Sequence, residues 1–280
     1  MKFRKGSVIA VSVACATVIA LAAGIPAVSK LHSNKLIEQY TRNNLELYAP
    51  LNVITDCAEI DGNTHTLAGI KEAARLGADT VTVDLCFKSD GTPVVTDDYS
   101  DINENTLKAE EIFELMCSEN YSKLSINFRL RQLSSLSEFN RLVGEYGVAK
   151  RVMISGIDSK RYSLISGADT PVKVYFDFEP DGDSGTDIEA VDKLISDYHL
   201  GGIMIKASDA SPELIEALSV KGVPYIVTDV EEEIEMYHSL SCGAYAIETD
   251  SPQLLKEIHN SWKELSRSRL DASMLDELNK

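Results

Sequence analysis

The sequence predicts a (β/α)₈ barrel, the TIM-barrel fold, and three observations support that prediction. Eight short β-prone runs alternate with eight helical segments between about residues 51 and 265. Capping residues open three of the helical segments, and a glycine ends the first helical segment. No glycine-rich phosphate loop follows the first strand, although a doubly wound open sheet, the alternative fold with this alternation, usually carries one.

The first elements in chain order show how each segment is recognised. The run 51–55 is the first strand, and Leu67, Ile70 and Ala74 lie on one face of a helix at 65–76. Gly77 ends that helix. The remaining predicted strands lie at 80–85, 124–128, 151–154, 172–176, 202–205, 225–227 and 244–247, and the remaining helices at 108–117, 134–146, 159–165, 188–198, 212–220, 231–240 and 252–264.

Three of the later helices carry clear start signals. Ser211-Pro212 and Ser251-Pro252 each place a capping serine before a proline at the first helical position. Thr186 and Glu189 form a predicted capping box at the start of the helix at 188–198. These signals fix where the chain leaves a strand and enters the following helix.

Residues 1–30 have the pattern of a membrane segment. Lys2, Arg4 and Lys5 precede an uncharged run whose most apolar part, 8–27, is long enough to cross a bilayer as a helix. The basic flank predicts a cytoplasmic start, which places the rest of the chain outside the cytoplasm. Two alternatives stay open: an uncleaved signal anchor in the cell membrane, or a cleaved signal peptide that leaves a secreted protein. Residues 31–50 are then a juxtamembrane spacer, 51–265 the barrel, and 266–280 a polar tail.

The net charge of −17 excludes some classes of partner. Nucleic acid binding needs a basic surface, so no nucleic acid is expected. The same charge disfavours contact between the folded domain and an anionic membrane surface.

Five cysteines without a C-x-x-C pair indicate neither a zinc site nor a redox motif. Cys57 and Cys86 follow neighbouring strands. A disulfide between them is one interpretation and two buried free thiols the other.

The segment from Gly77 to Asp98 carries a family resemblance. It contains a buried strand, a Ser-Asp-Gly turn and a short apolar run that ends in Asp97-Asp98. That layout resembles the second strand and following loop of glycerophosphodiester phosphodiesterases. The segments 151–155, 222–228 and 242–252 resemble the family's fourth, seventh and closing strands, so the resemblance covers about 51–262.

The resemblance implies a site at the carboxyl ends of the strands, where most of the family's reactive groups are replaced. The family's strand-two Glu-x-Asp, which binds a divalent cation, corresponds to Thr82-Val83-Asp84. The family's two histidines correspond, the first within one residue, to Asp56 and Asp97, which makes these the candidate catalytic positions. An aspartate is a poor acid–base group near neutral pH because its ordinary pKa is about 4.

The third strand supplies two further candidates. Asn127 stands where the family has a metal-binding Glu, and Arg129 where it has a Lys that contacts phosphate. His65 is the one histidine predicted near this rim, where it could contact substrate or act as a replacement base. Asp84 and Asn127, with Asp56 or Asp97, are thus the expected ligands of one Ca²⁺ or Mg²⁺ ion. The same acids could instead cap loops or pair with Arg129.

The sequence leaves three functions open. The first is a membrane-anchored, non-catalytic relative that binds a phosphorylated polyol, a lipid headgroup or an envelope partner. The second is a divergent metal-dependent phosphoric diester hydrolase acting on glycerophosphodiesters. The third is a purely structural extracellular domain.

Overall fold

A computed structural model of the protein describes residues 51–132, 135–158, 161–162, 170–178, 201–244 and 246–261. Its strands are β1 Asn52–Asp56, β2 Thr80–Phe87, β3 Pro93–Val95, β4 Ser125–Leu130, β5 Val152–Ile157, β6 Lys173–Phe178, β7 Gly202–Lys206, β8 Tyr225–Thr228 and β9 Ala246–Glu248. Its helices are α1 Leu67–Arg75, α2 Ala109–Cys117, α3 Ser137–Tyr146, α4 Pro212–Lys221, α5 Glu233–Ser241 and α6 at 252–261.

Eight parallel strands close into a barrel, which confirms the predicted fold. The hydrogen-bonded order runs from β1 through β2, β4, β5, β6, β7, β8 and β9, and β9 pairs again with β1. The Asn52–Ala246 and Ile54–Thr80 pairings place β1 between β9 and β2. The closed ring rules out the open doubly wound sheet.

The ninth strand, β3, forms a hairpin with the end of β2. Leu85, Cys86 and Phe87 pair antiparallel with Val95, Val94 and Pro93. β2 was expected to stop at residue 85, but this pairing extends it by two residues. The hairpin stands on the same side of β2 as β1, beyond the point where β1 ends.

Helix α1 shows how the sequence fixes an element next to the mouth. The Thr66 side chain accepts a hydrogen bond from the Gly69 backbone N–H at 3.0 Å, so the helix begins at Leu67, two residues later than predicted. His65 has a left-handed backbone, with φ of 52°, and cannot belong to the helix. Gly77, with φ of 110°, lies in the turn after α1, two residues beyond its last residue, Arg75.

Apolar side chains fill both the space under the helices and one half of the barrel interior. Phe113, Phe128 and Phe139 pack edge to face between α2, β4 and α3, with ring centroids 5.0 to 5.8 Å apart. Inside the barrel, the strands from β6 to β9 contribute an apolar cluster of Tyr175, Met204, Ile226 and Ala246, joined by Ile54. The inward positions of β2 and β4 are polar instead.

Several predicted features lie outside the described residues. These are the membrane segment with its spacer, most of the helix at 159–165, the helix at 188–198 and the tail. Within the described ranges, no helix combines the length and apolar content needed to cross a bilayer.

The cysteines Cys57 and Cys86 are both buried and both free, which favours the interpretation as thiols. Burial raises the pKa of the Cys86 thiol to about 11, so it stays protonated at neutral pH.

Two helical glycines provide a matched test of the packing of α1. A Cβ at Gly69 would lie 2.1 Å from the Ala58 carbonyl oxygen, whereas a Cβ at Gly144 in α3 would meet nothing within 4 Å. We expect Gly69→Ala to lower the free energy of unfolding by about 1–3 kcal/mol through overpacking. Gly144→Ala should raise it by up to about 1 kcal/mol through helix propensity. Urea unfolding of both variants measures the difference, and equal effects would contradict the close approach of α1 to the chain after β1.

Candidate functional site

The carboxyl ends of the parallel strands share one rim, here called the mouth, and the structure brings most candidate residues there. Asp56 ends β1, Asp84 lies near the end of β2, and Arg129 lies opposite Asp84 on β4. His65 and Asp97 come from the loops that follow β1 and β3. Asn127 lies one inward-facing layer lower in β4, opposite Thr82.

The guanidinium of Arg129 is the centre of the mouth. Its Nη2 donates to Asp56 Oδ1 at 2.8 Å and to Glu248 Oε1 at 3.1 Å. Its Nη1 lies 3.7 Å from Asp84 Oδ1, and the side chain is 24% exposed. One cation therefore joins carboxylates from β1, β2 and β9 to strand β4.

A second polar layer supports this network from below. Thr82 Oγ1 donates to Glu248 Oε1 at 2.9 Å, and Asn127 Nδ2 donates to Thr82 Oγ1 at 3.2 Å. Thr82, which the sequence resemblance aligns with the family's metal-binding glutamate, is thus a hydrogen-bond link between Glu248 and Asn127. Asn127 Oδ1 is buried and has no hydrogen-bond partner among the described residues.

Burial and neighbouring charges shift the pKa values of this network in opposite directions. Burial raises the pKa of the Glu248 carboxyl, and Arg129 offsets only part of that effect. Burial alone would lower the pKa of Arg129, but Glu248, Asp56 and Asp84 outweigh it, so the pKa is raised. The arginine remains charged and compensates the buried acids.

His65, Asp84 and Asp97 form a second cluster beside the first. His65 Nε2 lies 3.6 Å from Asp84 Oδ2 and hydrogen-bonds Asp97 Oδ1. The Asp84 backbone N–H points to His65 Nδ1 at 3.5 Å, and Asp97 Oδ2 accepts a hydrogen bond from Thr64 at 3.1 Å. The imidazole is therefore held between a carboxylate of strand β2 and one from the loop after β3.

The charges of this cluster are coupled. Burial opposes ionisation of Asp84, but hydrogen bonds from His65 and from Arg131, whose Nη2 is 2.9 Å away, lower its pKa to about 2. Burial lowers the pKa of His65, yet its hydrogen bonds to Asp84 and Asp97 dominate, so the pKa is raised. Asp84 is therefore already paired with cationic groups.

The metal-ligating capacity of the mouth differs from the expectation. The sequence resemblance aligns Thr82, Asp84 and Asn127 with the family's three carboxylates, and these residues offer one carboxylate, which is bound to Arg131. A Ca²⁺ ion takes six to eight oxygen ligands, so these residues alone do not fit a hard cation. Among the described residues, His65, Asp84 and Asp97 could hold a metal ion, because one ligand atom from each lies within 4.8 Å of the others.

A cavity of about 320 Å³ opens on the other side of Arg129. Its walls come from β4 to β9, with Asp56 from β1. Cationic, acidic and hydroxyl side chains line it. The cations are Arg129 and Lys206, and the hydroxyl groups belong to Ser155, Thr228 and Thr249. The acids are Asp56, Asp177, Asp229, Glu231, Glu248 and Asp250. His65, Asp84, Asp97 and Asn127 do not line it, so the predicted site residues divide between this cavity and the His65 cluster.

The sequence reasoning missed Glu248, Lys206 and Ser155. Glu248 directly follows the predicted eighth strand and Lys206 the sixth, so both positions at the rim were readable from the strand pattern. Ser155 likewise directly follows the predicted fourth strand, and its Oγ is buried without a hydrogen-bond partner in the described residues.

Known proteins resemble the chain in structure only. No protein-family model matches the sequence, and no curated protein matches it. A candidate glycerophosphodiester phosphodiesterase from Galdieria sulphuraria is 14% identical, with a TM-score of 0.62 over 76% of this chain and 99% of that chain. A glycerophosphodiester phosphodiesterase from Parabacteroides distasonis is 16% identical, with a TM-score of 0.59 over 76% and 98%.

A third similar structure is a phosphodiesterase from Oleispira antarctica in complex with its product, sn-glycerol-3-phosphate. It is 15% identical, with a TM-score of 0.59 over 76% of this chain and 97% of that chain. At such identities the likeness concerns the fold. The chain has the fold of glycerophosphodiester phosphodiesterases, which confirms the resemblance seen in the sequence at that level.

Removing the central cation should destabilise the domain. We expect Arg129→Met to lower the free energy of unfolding by about 3 kcal/mol, since it leaves Glu248 buried without compensation. Adding Glu248→Gln should recover a large part of that loss, because the glutamine carries no charge. Arg141→Met, which removes an exposed arginine paired with Glu138 and Glu145, should cost much less, because exposed ion pairs are screened by solvent. Denaturant unfolding of the four proteins would contradict the network if Arg129→Met matched Arg141→Met.

The acid Asp177 should make stability depend on pH. Burial raises its pKa from 3.8 to about 6, although the Gly156 N–H donates to it at 3.3 Å. The folded state then binds the proton more tightly than the unfolded state, so this group's contribution to stability falls as pH rises from about 4 to 6. We expect the melting temperature of Asp177→Asn, relative to the unaltered protein, to increase across that range.

Asp101→Asn serves as the control for loss of one exposed carboxylate at the same end of the barrel. A relative melting temperature of Asp177→Asn that stays constant from pH 4 to 7, or falls, would contradict the burial of a poorly compensated acid.

Proposed function

We propose that the protein is a non-catalytic relative of glycerophosphodiester phosphodiesterases that binds a small phosphorylated polyol at the barrel mouth. The observation that carries this proposal is the position of Arg129. Its guanidinium, bonded to Asp56 and Glu248, occupies the centre of the rim where hydrolysis would need a cation and free acid–base groups.

The cavity beside Arg129 has the chemistry of a polyol phosphate site. Arg129 and Lys206 provide positive charge for a phosphoryl group. The carboxylates of Asp177 and Asp229 can accept hydrogen bonds from ligand hydroxyls, and Ser155 Oγ has no hydrogen-bond partner in the part of the chain that the structure describes. A volume of about 320 Å³ lies at the small end of ligand sites.

The known ligand of one similar structure supports this class of ligand. The Oleispira antarctica phosphodiesterase was solved with sn-glycerol-3-phosphate. A free polyol phosphate, a lipid headgroup and an envelope component share that chemistry, and each is a source of the proposed ligand.

The candidate catalytic positions also support a binding role. Asp56 bonds Arg129, so it is engaged as an ion-pair partner. Asp97 is 60% exposed and bonds His65 rather than facing the cavity. Neither position supplies an imidazole, and both acids have fixed partners.

We further propose that residues 1–30 anchor the barrel to the cell membrane, with the barrel outside the cytoplasm. The apolar run at 8–27 and its basic flank support this arrangement.

Titration calorimetry of the full chain in detergent tests the ligand proposal. We expect sn-glycerol 3-phosphate to bind. Glycerol should bind more weakly because it lacks the phosphoryl group, and inorganic phosphate because it lacks the polyol hydroxyls. Lys206→Met should weaken binding about tenfold, which corresponds to ~1.4 kcal/mol. Lys150→Met removes an exposed lysine at the opposite end of the barrel and should leave the affinity unchanged. Equal affinity in both variants would place the ligand elsewhere.

A second candidate function is metal-dependent hydrolysis of glycerophosphodiesters. The cluster of His65, Asp84 and Asp97 favours it, since these residues could hold a divalent cation such as Ca²⁺ or Mg²⁺ next to Arg129. Turnover of a glycerophosphodiester with Ca²⁺, Mg²⁺ or Mn²⁺ that is lost in Asp84→Ala would establish this function and overturn the non-catalytic proposal.

A further inference from the structure

The two ends of the barrel carry opposite charge among the described residues. The mouth is ringed by exposed acids, among them Asp56, Asp61, Asp90, Asp97, Asp98, Asp229, Glu231 and Glu232. The opposite end, here called the base, is formed by the residues that begin or precede the strands. Its exposed cations are Arg75, Lys123, Lys150, Lys173 and Lys221.

Acids pair with some of the cations of the base. Asp79 already bonds Lys256 at 3.0 Å and accepts from the Val53 N–H at 3.0 Å. Glu72 bonds Arg75 at 2.6 Å, and Glu145 bonds Arg141 at 2.5 Å. Glu114 and Glu119 are exposed acids near this end. The exposed lysines Lys71, Lys123, Lys150 and Lys173 leave the described part of the base with a positive balance, although the whole chain carries −17.

Helix dipoles explain only part of this segregation. Cations are favoured at helix C-termini, which accounts for Arg75 at the end of α1 and Lys221 at the end of α4. Lys123, Lys150 and Lys173 instead precede or begin β4, β5 and β6. Their exposed positions at one end need another reason.

The base also contains an open cavity of about 440 Å³. Lys71, Arg75 and Lys123 line it together with Asp79 and Tyr121. Lys71 and Lys123 supply positive charge to this concave surface, whereas Arg75 is paired with Glu72 and Asp79 with Lys256. Two lysines at one concave surface suit a phosphate group.

The chain enters the barrel at this same end. β1 begins at Asn52, and residues 31–50 connect it to the predicted membrane segment at 1–30. A membrane held by that segment would face the base, and the mouth would lie at the far end of the barrel. Residues held close to a surface meet it at high effective concentration, so even weak contacts are populated.

We propose that the base docks on an anionic bilayer, with lipid phosphates in the cavity lined by Lys71, Arg75 and Lys123, so that the mouth faces away from the membrane. The net charge led to the opposite expectation for the domain as a whole. For the base we expect attraction to an anionic membrane instead of repulsion. Electrostatic interaction with a membrane falls off within about 10 Å, and the acidic mouth lies beyond that distance. The proposal does not depend on which ligand the mouth binds.

Hydrogen exchange of the full chain in proteoliposomes tests this orientation. We expect the amides of 118–124 and 147–151 at the base to exchange at least threefold more slowly in vesicles of phosphatidylcholine with 40% phosphatidylglycerol than in pure phosphatidylcholine. The protection should disappear in 1 M NaCl, where the screening length is about 3 Å.

Matched charge reversals locate the contact. Lys123→Glu at the base should abolish the difference between the two vesicle types, whereas Lys88→Glu at the mouth should leave it intact. Equal exchange at the base in both vesicle types would overturn the proposal. So would lipid-dependent protection of the mouth segments 88–92 and 229–232, or loss of protection in Lys88→Glu alone.

Discussion

The ion pairing of Arg129 with Asp56 and Glu248 is the interaction on which the mouth of this barrel depends. A closed ring of parallel strands forces the carboxyl ends of β1, β2, β4 and β9 together, and each end carries a polar or charged group. The Glu248 carboxylate is mostly buried and would be costly without a cation, and the guanidinium lies within hydrogen-bond distance of Glu248 and of the more exposed Asp56. Thr82 and Asn127 extend the network into the barrel interior.

This arrangement divides the mouth into two chemically different halves. On one side of Arg129 lies the open cavity with Lys206 and Asp177. On the other side His65 sits between Asp84 and Asp97. Asp84 connects the two halves, because its carboxylate lies close to both His65 and Arg129. Binding chemistry is concentrated in the first half, and metal-ligating groups in the second.

The sequence predicted the barrel because strand and helix periodicity is a local property that each segment carries by itself. Capping signals such as Thr66 and the cap-plus-proline pairs set the boundaries to within a few residues. The β3 hairpin showed only as a turn and a short apolar run, since three residues are too few for a periodic pattern. Placement of Asp56, Asp84 and Arg129 at one rim followed from the parallel topology.

The partners of those side chains could not be predicted. Whether Asp84 holds a cation or bonds Arg131 depends on side-chain directions, which strand spacing does not specify. The rim position of Glu248 was readable, but its bonds to Thr82 and Arg129 arise only when β9 closes against β1. Ser155 is a single buried hydroxyl, and no sequence pattern distinguishes it from a structural serine.

A crystal structure of the ligand-free protein grown with millimolar Ca²⁺ and Mg²⁺ tests the central claim most directly. Electron density should place the guanidinium of Arg129 within hydrogen-bond distance of Asp56 and Glu248, with no ion between Asp84 and Asn127. A cation coordinated by Asp84 and Asn127, with Arg129 turned toward solvent, would contradict this account of the mouth.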